Sequence, residues 1–185
     1  MTHRTEESPN TGDRIKWIVT PGLIPSVERF IKLFDVINEK PHGKNHILIL
    51  GPTGVGKSLF CEIFMKLNNV SEENVVRVNI AAFNKEMIES ELFGYVEGAF
   101  TGARTRGREG FIKKANNGIL ILEELGDLAP YIQAKLLTFI EDGYFYPVGS
   151  ENKEKSNVQI IATTNKPRSE FRDDFWNRFL PFYIP

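Results

Sequence analysis

A single cysteine, Cys61, leaves this chain no partner for an internal disulfide. Its three histidines, His3, His42 and His46, have neither metal-ligand spacing nor a carboxylate partner that the sequence identifies, so neither a metal cluster nor a histidine base is expected. No apolar run approaches the roughly 18 residues a membrane span needs, and no apolar stretch opens the chain as an export signal would. A cytoplasmic location is the resulting expectation. Charge of either sign is not in excess: 23 Lys and Arg face 24 Asp and Glu, a net charge of -1. Nothing in that balance points to a polyanion, and DNA binding is not expected from this chain unless a local patch supplies it. Internal repeats and low-complexity tracts are also missing. What remains is 185 residues with 41% hydrophobic content, enough for one folded unit with a substantial core.

Residues 1–14 are polar, contain Pro9 and Gly12 and lack periodicity, and read as a flexible lead-in to a domain over 15–185. Val27, Phe30, Ile31, Phe34, Val36 and Ile37 recur near helical spacing and predict an amphipathic helix over 26–38, with Ser26 as its N-cap. Beyond it, short apolar runs at 47–50, 75–78, 119–122 and 158–162 alternate with helical patterns at 58–67, 84–92 and 130–141. A last run, 180–184, supplies a fifth strand. This rhythm predicts an α/β fold with a mainly parallel five-stranded sheet between helices, a three-layer sandwich. The polar stretch 150–157 reads as an exposed loop, with Tyr144, Phe145 and Tyr146 packing the segment before it.

Directly after the first strand stands Gly51-Pro52-Thr53-Gly54-Val55-Gly56-Lys57-Ser58, the G-x-x-x-x-G-K-[ST] pattern, leading into a helix. Glycines let the backbone turn tightly and aim N–H groups at phosphate oxygens, and the helix N-terminus adds partial positive charge. Lys57 can reach the terminal phosphates and Ser58 can ligate magnesium. An ordinary glycine turn is the bland alternative, but strand before and helix after are what a phosphate loop requires. ATP and Mg2+ are the ligands expected.

The run Gly118-Ile119-Leu120-Ile121-Leu122 ends in two carboxylates, Glu123 and Glu124, 66 residues beyond Lys57. At the carboxyl end of a parallel strand they would face the nucleotide crevice. There one can hold magnesium and the other can polarise an attacking water. Alone, two glutamates could equally start a solvated helix.

Glu91-Leu92-Phe93-Gly94-Tyr95-Val96-Glu97-Gly98-Ala99-Phe100-Thr101-Gly102-Ala103 resembles the ELFG…GAFTGA signature of the sigma-54-dependent activators, the bacterial enhancer-binding proteins, whose ATPase core is of the AAA+ P-loop type. The likeness runs over about 20–185. From the residues alone, 98–103 is a turn of small residues carrying one apolar side chain, Phe100, which either meets a partner or folds into the local core. The resemblance implies contact between Gly98, Ala99, Phe100, Thr101, Gly102, Ala103 and sigma-54, with a loop position that follows the nucleotide. It further implies that Glu124 activates water, that Asn79 pairs with that glutamate, and that Thr164 and Asn165 sense the terminal phosphate. Arg172 and Arg178, in Phe171-Arg172-Asp173-Asp174-Phe175-Trp176-Asn177-Arg178-Phe179, match residues that reach into a neighbouring subunit of a ring. Read alone, Asn79 is a strand-end cap, Thr164 and Asn165 are a turn, and the two arginines are surface groups with local aspartates.

The chain departs from the family at three places. Glu123 stands where aspartate is usual, the stretch from Asn165 to Arg172 is a few residues short, and the helical lid of the family does not follow within the sequence. The resemblance implies an ATPase that remodels sigma-54 RNA polymerase, and the sequence reads as the α/β half of a larger protein. A nucleotide-binding module with little turnover, or an AAA+ motor with another client, are the rival readings. Among smaller features, Arg104, Arg106, Arg108, Lys113 and Lys114 form a basic stretch after the signature, read first as a solvated face, and Cys61 reads as a small buried hydrophobe.

Overall fold

The structure is a computed structural model, which describes residues 21–39, 45–100 and 106–185. The lead-in 1–14 and its boundary at 15 lie outside the described residues, as do Thr101, Gly102 and Ala103. Five strands form one parallel sheet: β1 (His46–Leu50), β2 (Val75–Asn79), β3 (Ile119–Glu123), β6 (Gln159–Thr164) and β7 (Phe179–Tyr183), in the order β2-β3-β6-β1-β7. Two further strands, β4 (Tyr144–Phe145) and β5 (Glu154–Lys155), make a small antiparallel hairpin of their own. The main helices are α1 (Ile24–Glu39), α2 (Lys57–Leu67), α3 (Ile88–Phe93) and α5 (Pro130–Asp142). Two single turns, α4 (Phe111–Lys114) and α6 (Asp173–Trp176), complete the set among the described residues.

The repeated Ile-Leu pattern explains how the sheet holds two layers apart. Successive side chains of a strand point to opposite faces. Ile47 and Ile49 of β1, with Ile119 and Ile121 of β3, pack against Phe30 of α1 and Phe60 and Phe64 of α2. Leu48, Leu50, Leu120 and Leu122 face the other way, toward Leu92 of α3 and Ile132 and Leu136 of α5. Every residue of β1 is buried, so the central strands read as continuous apolar runs without alternation. On the isoleucine face, Phe30 stands edge-on to Phe60 and to Phe182, at 5.3 and 4.9 Å between ring centres. Such pairs contribute about 0.5–1.5 kcal/mol each beyond area burial. β7 forms the sheet's edge, which is why it tolerates Pro181, a residue with no N–H to donate.

Three local expectations change. The first helix begins at Ile24, so Ser26 is a buried residue of its first turn and not its N-cap. Pro25, whose fixed φ suits a first turn, carries the start. The helix expected over 84–92 begins at Ile88, after a turn in which the Met87 and Ile88 N–H groups both donate to the Asn84 carbonyl. The stretch 150–157 is not simply an exposed loop. Glu154 and Lys155 pair with Phe145 and Tyr144, and Ser156 is buried, its hydroxyl donating to the Ile112 carbonyl at 2.9 Å. In the segment before it, Phe145 is buried whereas Tyr146 is exposed.

A candidate nucleotide site and its signature loop

The loop from Gly51 to Gly56 leaves β1 at the carboxyl edge of the sheet, where its neighbour β6 also ends. Glycine is required at its start, since a Cβ on Gly51 would lie 2.9 Å from both the Ile184 carbonyl oxygen and Val55 Cγ1. It is required again at Gly56, which takes φ 95° as the N-cap of α2. The loop curls around Lys57, whose ammonium donates to the carbonyls of Gly51 and Pro52 at 3.0 Å each and is almost wholly buried. A lysine held this way is a charge satisfied by the backbone of its own loop.

One residue on, Ser58 donates from its hydroxyl to Glu123 Oε1 at 3.4 Å. That contact joins the start of α2 to the end of β3, two elements 65 positions apart. Glu124 follows in the left-handed conformation, φ 56° and ψ 47°, and opens a short turn over Leu125–Asp127. For a residue with a Cβ this backbone costs about 1–2 kcal/mol, so the turn holds the second acid against local strain. At the end of β6, Asn165 donates from Nδ2 to Thr53 Oγ1 of the phosphate loop at 3.0 Å. Its neighbour Thr164 is fully buried and accepts from the Lys166 N–H at 3.0 Å, shaping the turn behind. Asn79 ends β2 opposite Glu123, and its side chain accepts from the Ala81 N–H, as a strand-end cap does.

Lys57, Ser58, Glu123, Asn165 and Thr53 are therefore brought together. Arg172 and Arg178 lie on the surface and are held by acids of their own chain. Arg172 makes a two-pronged bond to Asp174, at 3.1 and 2.7 Å, and Arg178 pairs with Glu141 of α5. Asp174 is the local aspartate the sequence suggested for one of them; Glu141, 37 positions from Arg178, is not. The Arg172 guanidinium beside it holds the Asp174 carboxyl below the ordinary carboxylate range, and Arg172 is itself raised by the same bond.

The signature loop is stapled at its base. Tyr95 and Arg108 exchange backbone bonds of 3.0 and 2.9 Å, an isolated antiparallel bridge that joins the segments flanking the signature. Arg108 Nη1 also donates to Glu91 Oε1 at 2.6 Å, where Glu91 is nearly buried. On the other side, the Val96 N–H donates to the Val148 carbonyl and the Val148 N–H to the Gly94 carbonyl, at 3.1 and 2.8 Å. Gly94 has to be glycine, because a Cβ there would meet the Arg108 oxygen at 2.6 Å. Phe100 is 46% exposed and leans on the Tyr95 ring, 5.0 Å between centres, so it is not folded into the core. Arg108, read first as part of a solvated basic face, belongs instead to this staple.

Gln133 is the residue that the sequence reading missed. It is fully buried on α5 beside Ile132 and Leu136, and it binds the backbone of Leu128, at the end of the acid turn, and of Glu170, ahead of α6. The available signal was a polar residue inside an apolar helical register. Cys61 is buried as expected, and that burial raises its thiol to about 12.

Residues 23–184 match the family described as "Sigma-54 interaction domain". The chain is 40% identical over 157 residues to the anaerobic nitric oxide reductase transcription regulator NorR of Aliivibrio fischeri, over 80% of this chain and 30% of that protein. Among solved structures it is similar to NtrX from Brucella abortus in complex with ADP, with TM-score 0.70 and 27% identity over 94% of this chain and 38% of that one. The same protein in complex with ATP gives TM-score 0.67 and 28% identity, over 86% of this chain and 35% of that one. The chain thus spans about a third of the length of the relatives it matches. The five-stranded parallel sheet is that of an AAA+ P-loop domain.

Proposed function

Because the chain belongs to the sigma-54 interaction domain family, we propose that it binds and hydrolyses ATP and uses the cycle to remodel sigma-54 RNA polymerase. The observation that carries this reading is the convergence of Lys57, Ser58, Glu123 and Asn165 on one phosphate loop at the carboxyl ends of β1, β3 and β6. Lys57 leaves the Gly51 and Pro52 carbonyls for the terminal phosphates. Ser58 and Glu123 offer two hard oxygen ligands next to each other, which fit a magnesium ion. Bound there, it would neutralise charge on the phosphates. Glu124 takes the proton of the attacking water. Asn165, already tied to Thr53, reports the state of the terminal phosphate, with Thr164 fixing the turn behind it. Asn79 exchanges its cap on Ala81 for Glu124 and so links that acid to the loop. Arg172 and Arg178 release Asp174 and Glu141 to complete a neighbouring protomer's site in a ring. The domain at 15–185 is in this reading the α/β part of a longer ATPase.

Phe100 and Thr101 carry the output to sigma-54, since an exposed aromatic on a stapled base suits contact with a partner. The test is gel filtration with sigma-54 in the presence of a transition-state mimic of ATP hydrolysis. Wild type co-elutes, whereas Phe100→Ala binds ATP with unchanged affinity and does not. Co-elution of the alanine variant would refute the reading. A silent nucleotide-binding module is the second reading, and the extra methylene of Glu123 beside Ser58 favours it. ATP affinity without turnover would select that one.

A further inference from the structure

One side chain hydrogen-bonds both to the end of the acid turn and to Arg172. Gln133 Nε2 donates to the Leu128 carbonyl at 2.9 Å and to the Glu170 carbonyl at 3.0 Å, and the Arg172 N–H donates to Gln133 Oε1 at 3.0 Å. Leu128 closes the short turn that Glu124 opens. Arg172 is the N-cap of α6, and Phe171 and Phe175 on either side are buried in the core that holds Leu128 and Ile132. The amide has only one orientation that satisfies these groups, because its NH2 faces two carbonyls and its oxygen faces an N–H. With no exposed surface, Gln133 has no water to replace any of them. A buried glutamine with all three bonds to backbone holds three segments at fixed separation, which an apolar residue of the same size would not do.

We propose that Gln133 is a positioning residue that locks the backbone of Arg172 to the turn carrying Glu124, so that movement at one site is delivered to the other. The inference rests on the role given above to Arg172 toward a neighbouring protomer. It makes Gln133 the mechanical link between a protomer's own hydrolysis site and the arginine it lends. The side chain of Arg172 lies outside on Asp174, while its backbone N–H is bonded to the buried Gln133.

Two variants and two readouts test this. Gln133→Leu removes all three bonds. Amide exchange at the Arg172 N–H should rise at least about tenfold, that being the scale for losing a buried acceptor, with the amides of the phosphate loop unchanged. ATP affinity should stay within about twofold, while turnover at saturating ATP falls to the level of Arg172→Ala. The double variant Gln133→Leu/Arg172→Ala should be no slower than either one alone. Gln133→Glu keeps the acceptor for Arg172 but turns a carboxylate toward two carbonyls. Its turnover relative to wild type should recover as the pH is lowered, when protonation restores a donor. Should Gln133→Leu not fold, this pH-dependent recovery decides, and its absence overturns the proposal. Unchanged exchange at Arg172, or losses that add in full in the double variant, overturn it as well. Absence of ATP turnover in the wild type would instead sink the proposed function, and exchange at Arg172 would still decide the placement of Gln133.

Discussion

The staple beneath the signature loop makes a quantitative prediction. Arg108→Met keeps most of the aliphatic stem of the side chain but removes the guanidinium, leaving Glu91 without its 2.6 Å partner. Side-chain exposure is 8% for Glu91 and 36% for Arg108, so the pair lies between two limits. Fully exposed pairs contribute about 0.2–1 kcal/mol, and breaking a fully buried pair by removing one partner costs about 3–5 kcal/mol. The stranded group is the buried one, which places the expected loss at about 2–3 kcal/mol. For a chain of this size that lowers the melting temperature by about 5–10 °C. Little of the loss should be masked by salt, because the carboxylate is shielded from solvent ions. Glu91→Gln/Arg108→Met, which removes both charges, should recover more than half of the loss, since no buried charge is then left unpaired. Thermal and urea unfolding followed by circular dichroism give both numbers. A loss below about 0.5 kcal/mol for Arg108→Met, or a double variant as unstable as that single one, would show that the contact is a surface pair and that the loop base is held by backbone alone.

Lys57→Ala removes the charge now buried between the Gly51 and Pro52 carbonyls, and ATP affinity measured by calorimetric titration should fall at least about tenfold, or about 1.4 kcal/mol. Equal affinity in the folded variant would dismiss Lys57 as the phosphate ligand. Glu124→Gln keeps ATP binding but should lose most phosphate release, because an amide cannot take a proton; wild-type turnover would exclude it as the base. Cys61, with its thiol raised to about 12 by burial, has a thiolate fraction on the order of 10⁻⁴ at pH 8. A maleimide should therefore label it only after unfolding in urea, and rapid labelling of native protein would contradict its burial. The same shift sets an alkaline limit. The folded thiol ionises later than the unfolded one, ordinarily near 9.0, so this contribution to stability is intact below that pH and is lost as pH rises toward 12.

The parts of this molecule that its sequence revealed are those with short-range signatures. All five strands of the sheet were visible as apolar runs, the central ones unbroken because a parallel sheet between two helical layers buries both their faces, and the split of isoleucines from leucines is the alternation of β1 and β3 themselves. The phosphate loop was legible because its glycines, lysine and serine act through adjacent backbone. The hairpin within 144–155 was hidden for the opposite reason. Its two strands are two residues long, Glu154 is fastened to Lys113, and Lys153 and Lys155 cover the Tyr144 ring, so a charged stretch that looks solvated is in fact an edge.

The same distinction explains why the polar contacts that position the site escaped the sequence reading. Ser58 to Glu123, Asn165 to Thr53, Arg178 to Glu141 and Gln133 to Arg172 each join residues at least 37 positions apart. No local periodicity records such a bond, because each partner is compatible with its own element whether or not the other is present. Gln133 differs in one respect. A fully buried amide costs about 1–3 kcal/mol when its partners are missing, so its place between Ile132 and Leu136 already implied that partners had to exist. Which partners they were depended on the fold bringing the end of the acid turn and the start of α6 to one side of α5. Burial of a polar side chain is thus a point at which a sequence announces a long-range contact, and in this chain it marks the junction between the acid turn and the start of α6.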